Sequence, residues 1–173
     1  QQSAYRNLAT PIDLATADFW FNGHWETHGP AGGCWAGVSH YVGTGTNEDM
    51  FFGSDTASTT WEFDTDAMTD VNTTIPNYTG VMVQVVVHAS TAGMEMWIDP
   101  ADTSSIAALG APDASYVGNP FMAGYLDYGR VRIAAANVAS GSMVAEDIIC
   151  ATTFAEAIGG APGVAFCPGD GIY

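Results

Sequence analysis

Short apolar runs separated by turn residues recur along the whole chain. The clearest pair covers residues 81–87 and 94–98, two runs rich in Val, Met and Ile on either side of a polar break at 88–93. Runs of β-branched residues joined by Ser, Thr and Gly are typical of antiparallel strands connected by a turn. Residues 126–133 and 143–154 continue the pattern. We therefore predict four antiparallel strands in this half of the chain.

Alternation within these runs predicts which side chains share a face, because successive residues of a strand point to opposite sides. Met94, Met96 and Ile98 fall on one face of their strand, and Glu95 and Trp97 fall on the other. In the next strand the side chains that share a face are Leu126, Tyr128, Arg130 and Arg132. We expect the apolar faces to form the core.

The first half of the chain shows the same spacing of turn signals, about every ten residues, with no helical period. We predict strands at 37–42, 48–54 and 59–63, a hairpin turn at Asn22-Gly23, a loop at 64–80 and one helical turn at 152–158. This pattern predicts an all-β protein, a two-layer antiparallel β-sandwich of the jelly-roll type. We expect one domain over 1–173, with an extended N-terminal arm at 1–18 and a C-terminal tail at 159–173 that folds back.

Charge limits the classes of partner. The chain has 19 acidic residues against three Arg and no Lys, a formal net charge of −16. Such a surface repels nucleic acid and anionic lipid, so we expect neither nucleic-acid binding nor membrane insertion. A start at Gln1 instead of Met is what removal of a signal peptide would leave, and so is a trimmed chain. We expect a secreted or cell-surface protein.

Three cysteines in an oxidising compartment predict one disulfide and one remaining thiol. We predict the pair Cys150–Cys167, because the Gly-rich segment 159–163 lets the tail return to the end of its strand. A bridge between Cys34 and Cys150 is the open alternative.

The order of motifs from residue 37 to 157 resembles the concanavalin A-like (laminin-G-like) jelly-roll modules of secreted bacterial proteins, which often carry sorting or dockerin tails. The motifs that carry the resemblance are Met-Phe-Phe-Gly at 50–53, Thr-Trp-Glu-Phe at 60–63, Met-Trp-Ile-Asp-Pro at 96–100, the Arg-Val-Arg-Ile strand at 127–133 and the closing strand at 146–155. The resemblance implies the fold. It does not choose among lectins, glucanases, adhesins and structural spacers.

Candidate metal ligands are sparse. Asp64, Asp66 and Asp70 place three carboxylates in one predicted loop, which suits the hard oxygen ligands of calcium. Asp residues that shape turns give the same pattern. His24 and His28 have the i, i+4 spacing of helical metal ligands, but their Gly and Pro neighbours disfavour a helix, and we expect no metal there. No cofactor is expected, with calcium as the alternative.

Catalytic motifs are missing from the sequence. Glycoside hydrolysis needs two carboxylates across a cleft, and the nearest approaches, Glu62-Phe-Asp64 and Glu95 to Asp99, are explained by solvent-face alternation. Trp20, Trp25 and Trp35 are candidates for a stacking platform for sugars, or else core residues.

We therefore predict a non-enzymatic extracellular structural or adhesive subunit that self-assembles as a homo-oligomer or polymer through its N-terminal arm. The alternative is a carbohydrate-binding, lectin-like module, and a glycoside hydrolase is less expected.

Overall fold

Two antiparallel sheets pack face to face. The computed structural model describes residues 2–28, 34–43, 45, 47–54, 58–137 and 142–159. Its strands are β1 (Gln2–Asp13), β2 (Phe19–His28), β3 (Cys34–Val42), β4 (Glu48–Ser54), β5 (Thr60–Thr65), β6 (Met68–Pro76), β7 (Val83–Ser90), β8 (Gly93–Ile98), β9 (Ala114–Val117), β10 (Asp127–Asn137) and β11 (Ser142–Ala151). A 3-10 turn (Ala107–Leu109) and the helix α1 (Phe154–Gly159) complete the described elements.

One sheet has six strands in the order β1-β10-β3-β4-β5-β6, and the other has five in the order β11-β2-β7-β8-β9. The predicted all-β, two-layer antiparallel sandwich is therefore confirmed. Strands β7 and β8 pair as the alternation predicts, and Met94, Met96 and Ile98 are buried. Strands β10 and β11 follow each other in the chain but lie in different sheets.

Aromatic side chains fill the space between the sheets. Phe21 of β2 meets the Phe52 ring of β4 edge to face, with ring centroids 4.6 Å apart. Trp25 contacts the Trp61 ring of β5 in the same geometry at 5.4 Å. Edge-to-face packing of large rings buries much apolar area in a favourable geometry. These contacts join the middle of the two sheets.

A second apolar cluster lies on the outer face of the five-stranded sheet. Its buried members are Trp20, Val86, Trp97, Leu109, Ala151 and Ala157, with Phe154 and Ile158 of α1 packed against them. The short helix predicted at 152–158 is thus present, and it covers this face. The Trp97 indole donates a hydrogen bond to the Gly110 carbonyl oxygen at 3.1 Å, which joins the loop before β9 to the same cluster.

Residues 1–18 do not form a free arm in this structure. Strand β1 pairs with β10 of its own chain at the edge of the six-stranded sheet, and Leu8, Ile12 and Leu14 are buried. Because β1 is already paired within its own chain, it is not available to add to the sheet of a neighbouring molecule. The structure therefore gives no support to assembly through the arm. The predicted loop at 64–80 likewise contains strand β6.

The predicted hairpin at Asn22-Gly23 is wrong. Strand β2 runs unbroken through both residues, between β7 and β11. The Asn22 amide donates to the Ala157 carbonyl oxygen at 3.2 Å, and its oxygen accepts a hydrogen bond from Gln84 at 2.8 Å. Tertiary pairing on both sides of the strand therefore overrides the local turn preference.

Cys150 is a free, buried thiol, so the structure does not show the predicted disulfide in either pairing. Its sulfur lies 3.7 Å from Nε2 of His40, inside the sandwich. Cys167 and the tail beyond Gly159 lie outside the described residues, and so does the side chain of Cys34. None of the helices in the described ranges has the length and apolar character needed to cross a bilayer.

Candidate functional site

The outer face of the six-stranded sheet carries three rows of side chains that run across the strands. Register places Asn7, Arg130, Tyr41 and Glu48 in the first row, Tyr5, Arg132, Ser39, Phe51 and Asp64 in the second, and Gly37, Gly53, Glu62 and Asn72 in the third. Neighbouring strands lie about 4.8 Å apart, so the second row is about 19 Å long. Most of these side chains are polar, in contrast to the covered outer face of the other sheet.

An ion pair with hydrogen bonds organises the first two rows. Arg132 donates to the Glu48 carboxylate and, at 2.9 Å, to the Ser39 hydroxyl. The Tyr41 hydroxyl donates to the same Glu48 carboxylate at 2.8 Å. The Arg132 guanidinium also lies 5.4 Å from the centre of the Tyr41 ring. One carboxylate thus holds an arginine and a tyrosine in fixed positions on the face.

Burial, and then the neighbouring Glu48 carboxylate, raise the pKa of the Tyr41 phenol well above its ordinary value. Tyr41 therefore keeps its proton at neutral pH and acts there as a hydrogen-bond donor. An adjacent arginine opposes the rise without reversing it.

Tyr5 is an exposed aromatic side chain of this face. It is 49% exposed. Its ring lies 6.0 Å from the Tyr41 ring, and the Arg130 guanidinium carbon is 5.8 Å from its centroid. Arg130 is held from both sides, by Asn7 Oδ1 at 3.0 Å from Nε and by the Gly45 carbonyl oxygen at 3.0 Å from Nη1. An exposed ring therefore stands beside an oriented guanidinium.

Two carboxylates lie at the other end of the face. Trp61 and Phe63 of β5 point into the core, so Glu62 and Asp64 between and beyond them point outward. Glu62 is only 2% exposed, although the sequence predicts that it faces solvent. Phe51 stands between the two ends, with its ring over Gly37, where an added Cβ would approach that ring to 2.6 Å.

The predicted tryptophan platform is wrong for two of its three members. Trp25 is fully enclosed between the sheets at 0% exposure. Trp20 is 4% exposed and stacked against the His88 ring at 4.2 Å, under the second apolar cluster. A ring covered on both faces cannot stack on a sugar. Trp35 lies in β3, opposite Ala136, and its side chain is outside the described part of the structure.

The predicted calcium ligands do not converge. Asp64 lies within β5, Asp66 lies in the turn that follows, and Asp70 lies in β6. Among the described residues no group of three acidic, His or Cys side chains is arranged to hold a metal ion. The loop expected to gather these carboxylates is a strand hairpin, which separates them. His24 lies in β2 with Nδ1 3.8 Å from the Asp147 carboxylate, and the His28 side chain is outside the described part.

Polar groups also lie inside the sandwich, beneath the site. The Tyr128 hydroxyl donates to Asp49 at 2.6 Å. Burial raises the pKa of Asp49 to about 6, the Tyr128 hydrogen bond opposes this, and the charge of Asp66 adds to it. Burial lowers the pKa of His40 to about 3, so this histidine is neutral. These groups are buried between the sheets, so we do not include them in the site.

The fold is shared with solved structures of low sequence identity. No family model and no curated protein sequence matches the chain. The structure resembles the alginate lyase AlgAT5 of polysaccharide lyase family 7 with a TM-score of 0.54 at 5% identity, over 83% of this chain and 62% of the lyase. It resembles CG-16, a homodimeric agglutinin from chicken liver, with a TM-score of 0.50 at 9% identity, over 87% of this chain and 100% of the agglutinin.

A third likeness is to the lumenal domain of VIP36 in its Ca²⁺/Man3GlcNAc-bound form, with a TM-score of 0.48 at 12% identity, over 86% of this chain and 70% of that one. The likenesses to the alginate lyase and to the agglutinin confirm the jelly-roll sandwich. The likeness to the alginate lyase also overturns the prediction that the protein is not an enzyme. That prediction relied on the lack of a sequence motif, and a polysaccharide lyase is built on this same architecture.

The sequence analysis missed most residues of this face. Tyr5, Tyr41 and Glu48 carry no motif, and only the strand register brings them beside the arginines. One signal was present: Arg130 and Arg132 are two of the three arginines in an acidic chain, and they share one face of one strand. Cationic residues so few and so close together indicate a specific role.

Proposed function

We propose that the protein binds a carbohydrate on the outer face of its six-stranded sheet. The observation that carries the proposal is the exposed Tyr5 ring, fixed beside Tyr41 and Arg130 on an otherwise polar face. Sugars present apolar C–H faces and hydroxyl groups, so they are bound by an aromatic ring together with oriented hydrogen-bond partners. Glu48 and Asn72 supply such partners along the same face.

The fold is compatible with this role. One protein with this architecture is described as an agglutinin and another as an alginate lyase. A glycan ligand would also agree with the predicted secreted or cell-surface location, which we retain as part of the proposal.

The test is binding to a glycan array, followed by calorimetric titration of any glycan that binds. We expect Tyr5→Ala to weaken the binding about twofold to tenfold, the range for loss of an aromatic contact of about 0.5–1.5 kcal/mol. Tyr125→Ala, which removes a half-buried tyrosine from the loop before β10, is the matched control and should leave the affinity unchanged. An empty array, or equal losses in both variants, would contradict the proposal.

A second candidate function is hydrolysis of the bound polysaccharide by Glu62 and Asp64. Residues i and i+2 of a strand lie about 6.6 Å apart on one face, which is within the roughly 5–10 Å that separate paired catalytic carboxylates of glycosidases. Glu62 is almost inaccessible, so neighbouring side chains would have to move to admit a sugar. For this reason binding is the first proposal.

Incubation of the protein with polysaccharides, followed by mass analysis of the products, tests this candidate. Hydrolysis adds one water to each cleaved bond, and an eliminating lyase leaves an unsaturated sugar of lower mass. We expect saturated products that Glu62→Gln abolishes. Unsaturated products, or unchanged turnover in Glu62→Gln, would exclude Glu62 and Asp64 as the catalytic pair.

A further inference from the structure

Arg130 forms no ion pair with the described part of its own chain. The chain holds 19 acidic residues, and Arg132 is paired with one of them, Glu48. The contacts of Arg130 are instead to an amide oxygen of Asn7, a carbonyl oxygen of Gly45 and the ring of Tyr5. Within the described part of the chain all these partners are neutral. In so acidic a protein, this is an unusual way to hold an arginine.

These contacts engage only part of the guanidinium. Of its five N–H donors, the described residues engage the one on Nε and one on Nη1, and three on Nη1 and Nη2 have no partner among them. Both hydrogen bonds lie in an exposed position and Arg130 is half-buried, so solvent reaches part of this side chain. A guanidinium already held by two hydrogen bonds loses little freedom when it binds a carboxylate or sulfate through two parallel N–H contacts.

We infer that the sugar bound on this face is acidic and that its carboxylate or sulfate group lies on Arg130. This inference rests on the proposed carbohydrate-binding function and names the class of glycan. Tyr5 packs beside the same guanidinium, so one sugar ring on Tyr5 places its charged substituent within reach of Arg130. A neutral glycan would bring no group to match the charge of Arg130. Arg130 is therefore the residue that sets the specificity.

The experiment compares three ligands on the full chain by calorimetric titration: an oligouronate, the same oligosaccharide with its carboxyl groups reduced to alcohols, and a sulfated oligosaccharide. A hydrogen-bonded charge corresponds to about a tenfold to hundredfold change in affinity. We expect the oligouronate or the sulfated ligand to bind the wild-type protein that much more tightly than the reduced one. The stronger of the two identifies the anionic group.

Arg130→Gln should remove this preference and leave the affinity for the reduced ligand unchanged. Arg6→Gln is the matched control, because Arg6 alternates with Tyr5 and Asn7 along β1 and so lies on the other side of the strand. It removes the same charge and should keep the preference. A thermal melt of each variant confirms that it is folded, and if Arg130→Gln does not fold, the wild-type preference decides alone.

The outcomes separate the two proposals. Equal binding of acidic and reduced ligands by the wild-type protein would overturn the acidic-glycan inference and leave carbohydrate binding standing. A preference that survives in Arg130→Gln, or is lost equally in Arg6→Gln, would also overturn it. Failure of every ligand to bind would refute the proposed function itself, and the inference with it.

Discussion

Replacing Asp49 with Asn should stabilise the protein at neutral pH. Asp49 lies in β4 with one carboxylate oxygen accepting the Tyr128 hydroxyl at 2.6 Å. Its other oxygen, Oδ1, is buried without a hydrogen-bond partner among the described residues. An ionised carboxylate in this position is poorly solvated, and an amide of the same shape keeps the acceptor for Tyr128 and carries no charge.

The magnitude follows from the pKa of the carboxyl group. Burial raises the pKa of Asp49 from 3.8 to about 6, so the folded chain holds this proton more tightly than the unfolded chain does. The stabilisation that this tighter proton binding gives the folded chain is fully present below pH 3.8 and is lost as the pH rises to about 6. The difference between the two pKa values corresponds to at most about 3 kcal/mol in the free energy of unfolding. Screening by nearby water reduces our expectation to about 1–2 kcal/mol.

Urea unfolding of wild type and Asp49→Asn at pH 4 and pH 7.5 is the assay. The difference in the free energy of unfolding between the two proteins should be near zero at pH 4 and about 1–2 kcal/mol in favour of the variant at pH 7.5. His40 titrates with the opposite sign, but both proteins contain it, so its effect cancels in the difference.

Asp102→Asn is the control for simple relief of repulsion in a chain of net charge −16. Asp102 is exposed, and the Ser104 backbone amide lowers its pKa, so removing that charge should give no gain at pH 7.5. Equal stabilisation by both variants would mean that global charge, and not burial of Asp49, is responsible. A gain for Asp49→Asn that is as large at pH 4 as at pH 7.5 would refute the reasoning outright.

Three further predictions concern buried polar groups. Burial lowers the pKa of His40 to about 3, so wild type should lose stability as the pH falls below 6.5. Thermal melts between pH 6.5 and 4 should show a smaller loss for His40→Leu. Parallel curves of melting temperature against pH for the two proteins would contradict this. Asn22→Ala removes hydrogen bonds to Ala157 and Gln84 and should cost about 1–3 kcal/mol in urea unfolding, whereas Asn47→Ala, at an exposed position, should change little. The Cys150 thiol is fully buried, which raises its pKa, so mass mapping after alkylation should find it modified only when urea unfolds the chain; rapid labelling of the native protein would place Cys150 at the surface.

The strands that could be predicted are those whose local pattern agrees with their final environment. Val85 and Val87 are apolar, β-branched and buried, so sequence and structure agree at β7. Asn22-Gly23 failed because its environment comes from distant residues. Gly23 lies so close to Phe21 and Ile148 that an added Cβ would meet them at 3.0 and 3.2 Å, and this glycine serves packing within a central strand, not a turn.

The candidate site could not be predicted, because its residues meet only through strand register. Tyr5 is opposite Arg132, more than a hundred residues away, and Arg132 is opposite Ser39. No local pattern encodes these neighbours. The tryptophans were predicted to bind sugars because they are large aromatic residues. The same size and hydrophobicity favour burial, and Trp20 and Trp25 are buried. The smaller, amphipathic Tyr5 is exposed instead.

The pairing of β1 with β10 determines when the six-stranded sheet can form completely. Residues 2–13 are synthesised long before their partner strand, which ends at residue 137. Until β10 has been synthesised, β1 lacks its partner strand, and β2 lacks β11 for longer still. Contacts between such distant segments slow folding and prolong the exposure of sticky edges. The tyrosine at position 5 therefore gains the arginines beside it only after residues 130–132 have been synthesised.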